Sequence, residues 1–297
     1  MAIILGDNQY GKAESRVVRV YRDTARHEIK DLNVTSALRG PFAPAYLVGD
    51  QSNVLPTDTQ KNTAFAYAKS KGVDSIEAYG LDLARHFVHD IDPVEGARIE
   101  IEEFAWVRAV VDGVEHDHTW TRSGSEVRTA AITVDATGEY VIGGLKDFVI
   151  LKSTGSEFAG FLVDDHTTLQ ETHDRVMATS LTAKWRFAST DVDWNAVYPQ
   201  VKAILIREFA TLQSLALQQT LWHMGKAVIE AIPEIVEVRL AAPNKHHFLY
   251  DLVPFGLENN GEVFIAADRP YGLIEAQVLT DDAPAAHDAW RVSAGLA

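Results

Sequence analysis

Thr57-Asp58-Thr59-Gln60-Lys61-Asn62-Thr63-Ala64-Phe65-Ala66-Tyr67-Ala68 reads as the opening of a helix, a Thr-x-x-Gln capping box ahead of an apolar run. What stands on either side of it decides the fold. Upstream, residues 16–21 and 27–34 alternate or cluster β-branched side chains about Asp23-Thr24-Ala25-Arg26, which predicts a hairpin. Downstream, the pattern predicts a second helix over 75–89 and strands over 97–111 and 127–134. The order is strand-strand-helix-helix-strand-strand.

The second half repeats that order. Strand patterns occupy 148–152 and 181–190, then Val197, Val201, Ile204, Leu205, Phe209 and Leu212 recur at helical spacing. A further helix is predicted over 217–231, and strands over 235–241 and 246–252. Residue identity between the halves is too low to demonstrate a repeat. The natural cut lies near Thr137-Gly138-Glu139-Tyr140 and gives two ββααββ units, 1–140 and 141–297. The expected class is α+β, with antiparallel sheets carrying helices on one face. The uncovered faces and edges of such sheets are expected to close by association into a ring or barrel, so the chain should be an oligomer.

Composition excludes whole classes of function. With 297 residues, 46% of them hydrophobic, the chain can bury a sizeable core. A net charge of -15 argues against nucleic acid and anionic membrane as partners, and a small anion would need a locally positive pocket. The absence of cysteine removes disulfides, thiolate metal sites and Cys nucleophiles. No apolar run approaches the roughly 18 residues of a membrane span, and Met1-Ala2-Ile3-Ile4-Leu5-Gly6 lacks the features of a signal peptide. A cytoplasmic protein is expected, since Ala294-Gly295-Leu296-Ala297 is not a peroxisomal Ser-Lys-Leu tail.

Four groups of residues could carry chemistry. Tyr10-Gly11-Lys12 and Thr57-Asp58 offer an amine and a hydroxyl; a desolvated lysine could take a threonine proton, provided the two meet in space. Read singly, Lys12 is a surface lysine and Thr57 a helix cap. The small and hydroxylated residues of 151–161, with Phe158 and Phe161, suggest a loop that holds a flat ring, and the Arg175 fork could grip a heterocycle edge. The plainer reading has two core phenylalanines and an Arg175 ion pair with Asp174 or Glu171. Leu217-Gln218-Gln219-Thr220 opens a helix with amides that suit an alternating C=O and N–H edge. Lastly, Pro243-Asn244-Lys245-His246-His247-Phe248 sets Asn244 and His246 on one face of an extended chain, about 7 Å apart, at the mouth of a strand. Metal sites fare worse. Neither His116-Asp117-His118 nor the His86 and His89 pair has a third ligand in register, and there is no phosphate loop or nucleophile elbow.

Taken together, these motifs resemble the urate oxidase (uricase) family of tandem tunnelling-fold enzymes. The resemblance runs through Asn8-Gln9-Tyr10-Gly11-Lys12, Arg26-His27-Glu28-Ile29, Thr57 to Thr63, Leu151-Lys152-Ser153-Thr154 through Phe158, Pro243-Asn244-Lys245-His246, and Asp268-Arg269-Pro270-Tyr271-Gly272-Leu273-Ile274. It implies oxidation of urate by O₂ and water to 5-hydroxyisourate and hydrogen peroxide, with no metal or organic cofactor. It also implies a Lys12–Thr57 proton-relay dyad, and Asn244 and His246 at the oxygen or water site. Phe158 would stack on urate, with Thr57, Asp58, Arg175, Leu217 and Gln218 as further binding residues. The partners implied are urate, O₂ and three further copies of the chain, with sites formed between subunits of a homotetramer around a tunnel. His166 stands where the family usually has an aromatic, Val163 where it has a basic residue, and Phe148 where it has an aliphatic. Two alternatives remain open: a pterin-directed tunnelling-fold enzyme, whose zinc branch needs ligands not visible here, and a purine-binding homologue without turnover, which predicts loss of Lys12 or Thr57.

Overall fold

The computed structural model describes residues 1–291. It is α+β, with eight strands whose hydrogen-bonded order follows the chain from β1 to β8. Two compact units divide it. The first holds Met1–Gly144, Arg186–Asn195 and the described residues from Pro284 onward; the second holds Leu145–Trp185 and Ala196–Ala283. The tail Ala294-Gly295-Leu296-Ala297 lies outside the described residues.

In the first unit β1 (Tyr10–Tyr21) and β2 (Glu28–Arg39) form the expected hairpin. A short helix α1 (Ala43–Val48) follows, then α2 (Thr57–Ser70), α3 (Ile76–His89), β3 (Gly96–Val111) and β4 (Val114–Asp135). Ser75 caps α3, its side chain accepting the Ala78 N–H at 3.1 Å. Ile76, Leu83, Ala84 and Phe87 of α3 bury against Ile99, Ile101 and Ile132 of the sheet, and each such large side chain contributes about 1.5–3 kcal/mol of apolar burial. Gly80 permits the close approach: a Cβ there would lie 2.4 Å from the Ile132 Cδ1. Arg98 is buried and donates to Thr133 Oγ1 at 2.9 Å and Ala289 O at 2.8 Å, which holds the C-terminal segment to this sheet.

The second unit contains the later part of β5 (Gly138–Lys152), most of β6 (Met177–Phe187), most of α4 (Trp194–Thr211), α5 (Leu217–Ala231), β7 (Ile235–Leu249) and β8 (Phe264–Leu279). Gly225 of α5 plays the part of Gly80, since a Cβ there would lie 2.6 Å from Val278 Cγ2 of β8. Both units therefore seat their last long helix on the sheet through a glycine. That is a structural likeness the residue identities conceal.

Three expectations need correction. The strand over 127–134 is the end of a much longer β4, whose partner turn Asp112-Gly113 has both residues at positive φ, 51° and 81°. Its outer half is exposed and charged, so no apolar alternation marked it. The two strands over 235–241 and 246–252 are one continuous β7, and the closing strand is β8, for which no element was expected. Pro243 and Pro270 lie in β7 and β8 beside the register shift between Asn244 and His246. Finally, Thr57 is the first residue of α2 rather than its cap: Pro56 holds the cap position and no side chain bonds the free N–H groups.

Candidate active site

The candidate residues fall into two sets, one in each unit. Lys12, Thr57 and Asp58 belong to the first. Between Lys12 and Ser15 the β1–β2 register slips by one residue, with Glu14 at φ 55° and its N–H donating to Thr35 Oγ1 at 3.0 Å. This bulge re-aims the half-buried Lys12. The Lys12 N–H donates to Ser36 Oγ at 3.4 Å, and the Ser36 hydroxyl donates to Gln60 Oε1 at 2.7 Å. Gln60 is buried on α2 one turn beyond Thr57, so one hydroxyl ties the Lys12 strand to the Thr57 helix. Replacing Ser36 with alanine leaves the Gln60 carbonyl and the Lys12 N–H short of a partner; urea unfolding should show a loss of about 1–3 kcal/mol with an unchanged slope.

Thr57 is half-buried and lines a cavity of about 560 Å³ with Tyr10, Phe42, Tyr46 and Val54. Its hydroxyl is not committed to capping. Asp58 is exposed and held below its ordinary pKa, first by Lys61, then by Asn62 at 3.0 Å, with Lys12 contributing a smaller favourable charge. Its carboxylate is thus occupied within its own helix, while the Lys12 charge is felt one residue from Thr57.

Phe158, Arg175, Leu217, Gln218, Asn244 and His246 belong to the second unit. Phe158 is pinned by paired backbone bonds with Thr172, at 2.8 and 3.0 Å, and its ring stacks on Phe161 with centroids 5.1 Å apart. The Arg175 guanidinium lies 5.4 Å from the Phe158 centroid. The ion pair that the plainer reading required is absent among the described residues. Asp174 instead accepts Thr154 Oγ1 at 2.9 Å and the Gly155 N–H at 3.1 Å, and Glu171 accepts the Gly160 N–H at 2.8 Å. Burial lowers the Arg175 pKa without a carboxylate to offset it, so the side chain offers an uncompensated cation beside an aromatic face.

His246 joins this group. Its pKa is lowered, first by burial and then by the charge of Arg175, and its ring stacks on Phe248 at 5.5 Å. Because the folded state holds this proton less tightly than the unfolded chain, protonation costs stability as pH falls below the ordinary imidazole value. Replacing Arg175 with glutamine removes the smaller cause, so the His246 pKa followed by NMR should rise toward its ordinary value but stop short of it. Asn244 sits half-buried just before the register shift that separates it from His246.

Gln218 is exposed in the first turn of α5, whereas Leu217 is buried at 3% exposure and anchors that turn. Neighbouring Gln219 has a structural use, accepting the Leu215 N–H at 2.8 Å. This bond occupies the Gln219 amide oxygen and leaves Gln218, the amide that the resemblance singles out, exposed. The sequence does not single out Ser36 or Ser214, and it presents Gln60 and Ser156 only as a capping-box residue and as part of the 151–161 loop; all four polar side chains are buried. Among the described residues no three His, Cys, Asp or Glu side chains form a metal-ligand group, and the His86 ring is bonded to Asp90 at 2.8 Å.

The profile of the uricase family matches residues 8–133 and again 141–275. A uricase from Arthrobacter globiformis is 50% identical over 294 residues, covering 99% of this chain and 96% of the relative. One from Dictyostelium discoideum is 37% identical, covering 92% and 96%. The crystal structure of the Arthrobacter globiformis uricase superposes with a TM-score of 0.93 over 98% of this chain and 99% of that one.

Proposed function

The chain belongs to the uricase family, and from that premise we propose how its own residues carry the reaction. It is a urate oxidase, an oxidoreductase of purine degradation. The observation that carries the proposal is Arg175, a cation without a carboxylate partner among the described residues, set against Phe158 and within the field of His246.

Urate is a planar monoanion. Arg175 supplies a local positive charge in a chain of net charge -15, while Phe158 stacks on the ring and Gln218 and the α5 start, anchored by Leu217, meet its amide edge. The Lys12 amine takes a proton relayed through Thr57, and Asp58 supports that end of the site. The resulting dianion gives two electrons to O₂. Reduced oxygen takes up two protons and leaves as H₂O₂, and water adds hydroxide to the oxidised ring, losing a proton, to give 5-hydroxyisourate. Asn244 and neutral His246 hold the oxygen and water side. No metal or organic cofactor takes part in this scheme.

Two tandem units, 1–140 and 141–297, each carry half of the machinery, a reading supported by the two separate family matches. The chain works as a homotetramer, the dyad of one copy meeting the clamp of another around a tunnel, in the cytoplasm. Among the described residues no helix is long and apolar enough to cross a membrane.

Metal-stripped protein should consume O₂ and release peroxide in equal amounts when urate is added; a rate abolished by chelation would overturn the cofactor-free scheme. Co-expressed Lys12→Ala and Arg175→Ala chains should regain activity that neither has alone. No recovery in mixed assemblies would show that each site is built from one chain.

A further inference from the structure

The guanidinium of Arg175 is aimed by a serine that lies beneath the site. Ser156 is fully buried, at 0% exposure. Its Oγ accepts the Arg175 Nε–H at 3.3 Å, and its carbonyl accepts the Arg175 N–H at 2.8 Å. Its own hydroxyl proton points to the Met177 sulfur at 3.5 Å, which leaves the oxygen lone pairs for arginine. A guanidinium is planar with its N–H groups in a fixed fork, so holding Nε fixes the plane and leaves both Nη groups as an end-on pair. Those Nη groups have no protein partner among the described residues.

The same cluster reaches the amide arm. Ser156 and Ser214 form a parallel backbone bridge, and the Ser214 hydroxyl lies 3.7 Å from the same sulfur. It also lies 2.8 Å from Thr220 Oγ1, in the first turns of the helix that carries Gln218. A buried chain of Ser156, Met177, Ser214 and Thr220 therefore joins the two arms that would hold a planar bicyclic anion.

We propose that Ser156 is a positioning residue for urate binding, presenting the Arg175 fork end-on and fixing its distance from the Gln218 helix through Met177 and Ser214. The proposal rests on the reading of Arg175 as the urate clamp. Ser156 touches no reacting atom, so its loss should weaken binding and spare the chemical step.

The test is a double-mutant cycle with full-length protein, measuring kcat and KM for urate by O₂ uptake and urate affinity under anaerobic conditions. Ser156→Ala should raise KM and the anaerobic Kd by about 10- to 150-fold, the range for a hydrogen bond to a charged group, with kcat within about threefold. In an Arg175→Gln background the same change should add less than about twofold. Ser156→Cys keeps the volume but is a weak acceptor, so it should show the same split and carries the test if the alanine variant does not fold. An unchanged KM, an equal effect in both backgrounds, or a fall in kcat alone would overturn the positioning role. If Arg175→Gln itself left urate affinity intact, the clamp reading would fail, and this proposal with it.

Discussion

Replacing Lys12 with alanine lowers kcat for urate by about 10²–10⁴-fold, the usual range for loss of a positioned acid–base group, and changes anaerobic urate affinity little. Lys12 belongs to the first unit, and the proposed ring-stacking and arginine contacts belong to the second, so its removal should take away proton transfer rather than substrate contacts. A threonine hydroxyl is too weak an acid to serve at neutral pH without that amine. The bulge at Glu14 and the Ser36–Gln60 bond are what bring the Lys12 strand into register with the Thr57 helix. Because the pair acts as a unit, Lys12→Ala combined with Thr57→Ala should be little worse than the poorer single variant. A rate within threefold of the parent for Lys12→Ala would remove Lys12 from the mechanism.

Replacing Arg175 with alanine raises KM for urate by about 30-fold to several thousand-fold, corresponding to the 2–5 kcal/mol typical of a truncated buried charge pair. The effect is expected on binding because Arg175 is the cation beside the Phe158 face, and that face alone cannot hold an anion. Arg175→Lys should recover only a small part: an ammonium restores charge but not the planar fork, and Ser156 then has no Nε to hold. The two variants thus separate charge from geometry. A lysine variant with parental KM would show that the fork and its serine anchor are unnecessary.

Much of the fold was legible along the chain because its signals are local. The Asp23–Arg26 turn, the Ser75 cap and the helical spacing from Val197 are interactions among neighbours, and Leu217–Ala231 follows its apolar pattern from end to end. Signals failed where two strands decide together. The outer half of β4 is charged on both faces, and the gap between the strands expected over 235–241 and 246–252 falls where β7 runs on through a register shift against β8.

By itself the sequence determined the class, the ββααββ order and the family, and named the side chains proposed to carry the chemistry, because these depend on residue type and short-range spacing. Only the tertiary structure decided what each side chain is free to do. It gave Gln219, not Gln218, to the backbone; it tied the Asp58 carboxylate to Lys61 and Asn62 within its helix; and it released Thr57 from capping. It also withheld a carboxylate from Arg175 and substituted a buried serine, a choice made by Asp174 bonding Thr154 and Gly155 instead. The Asp174 and Arg175 outcomes depend on partners 19 or 20 residues apart that meet only when the loop folds, and a linear pattern carries no record of such competition.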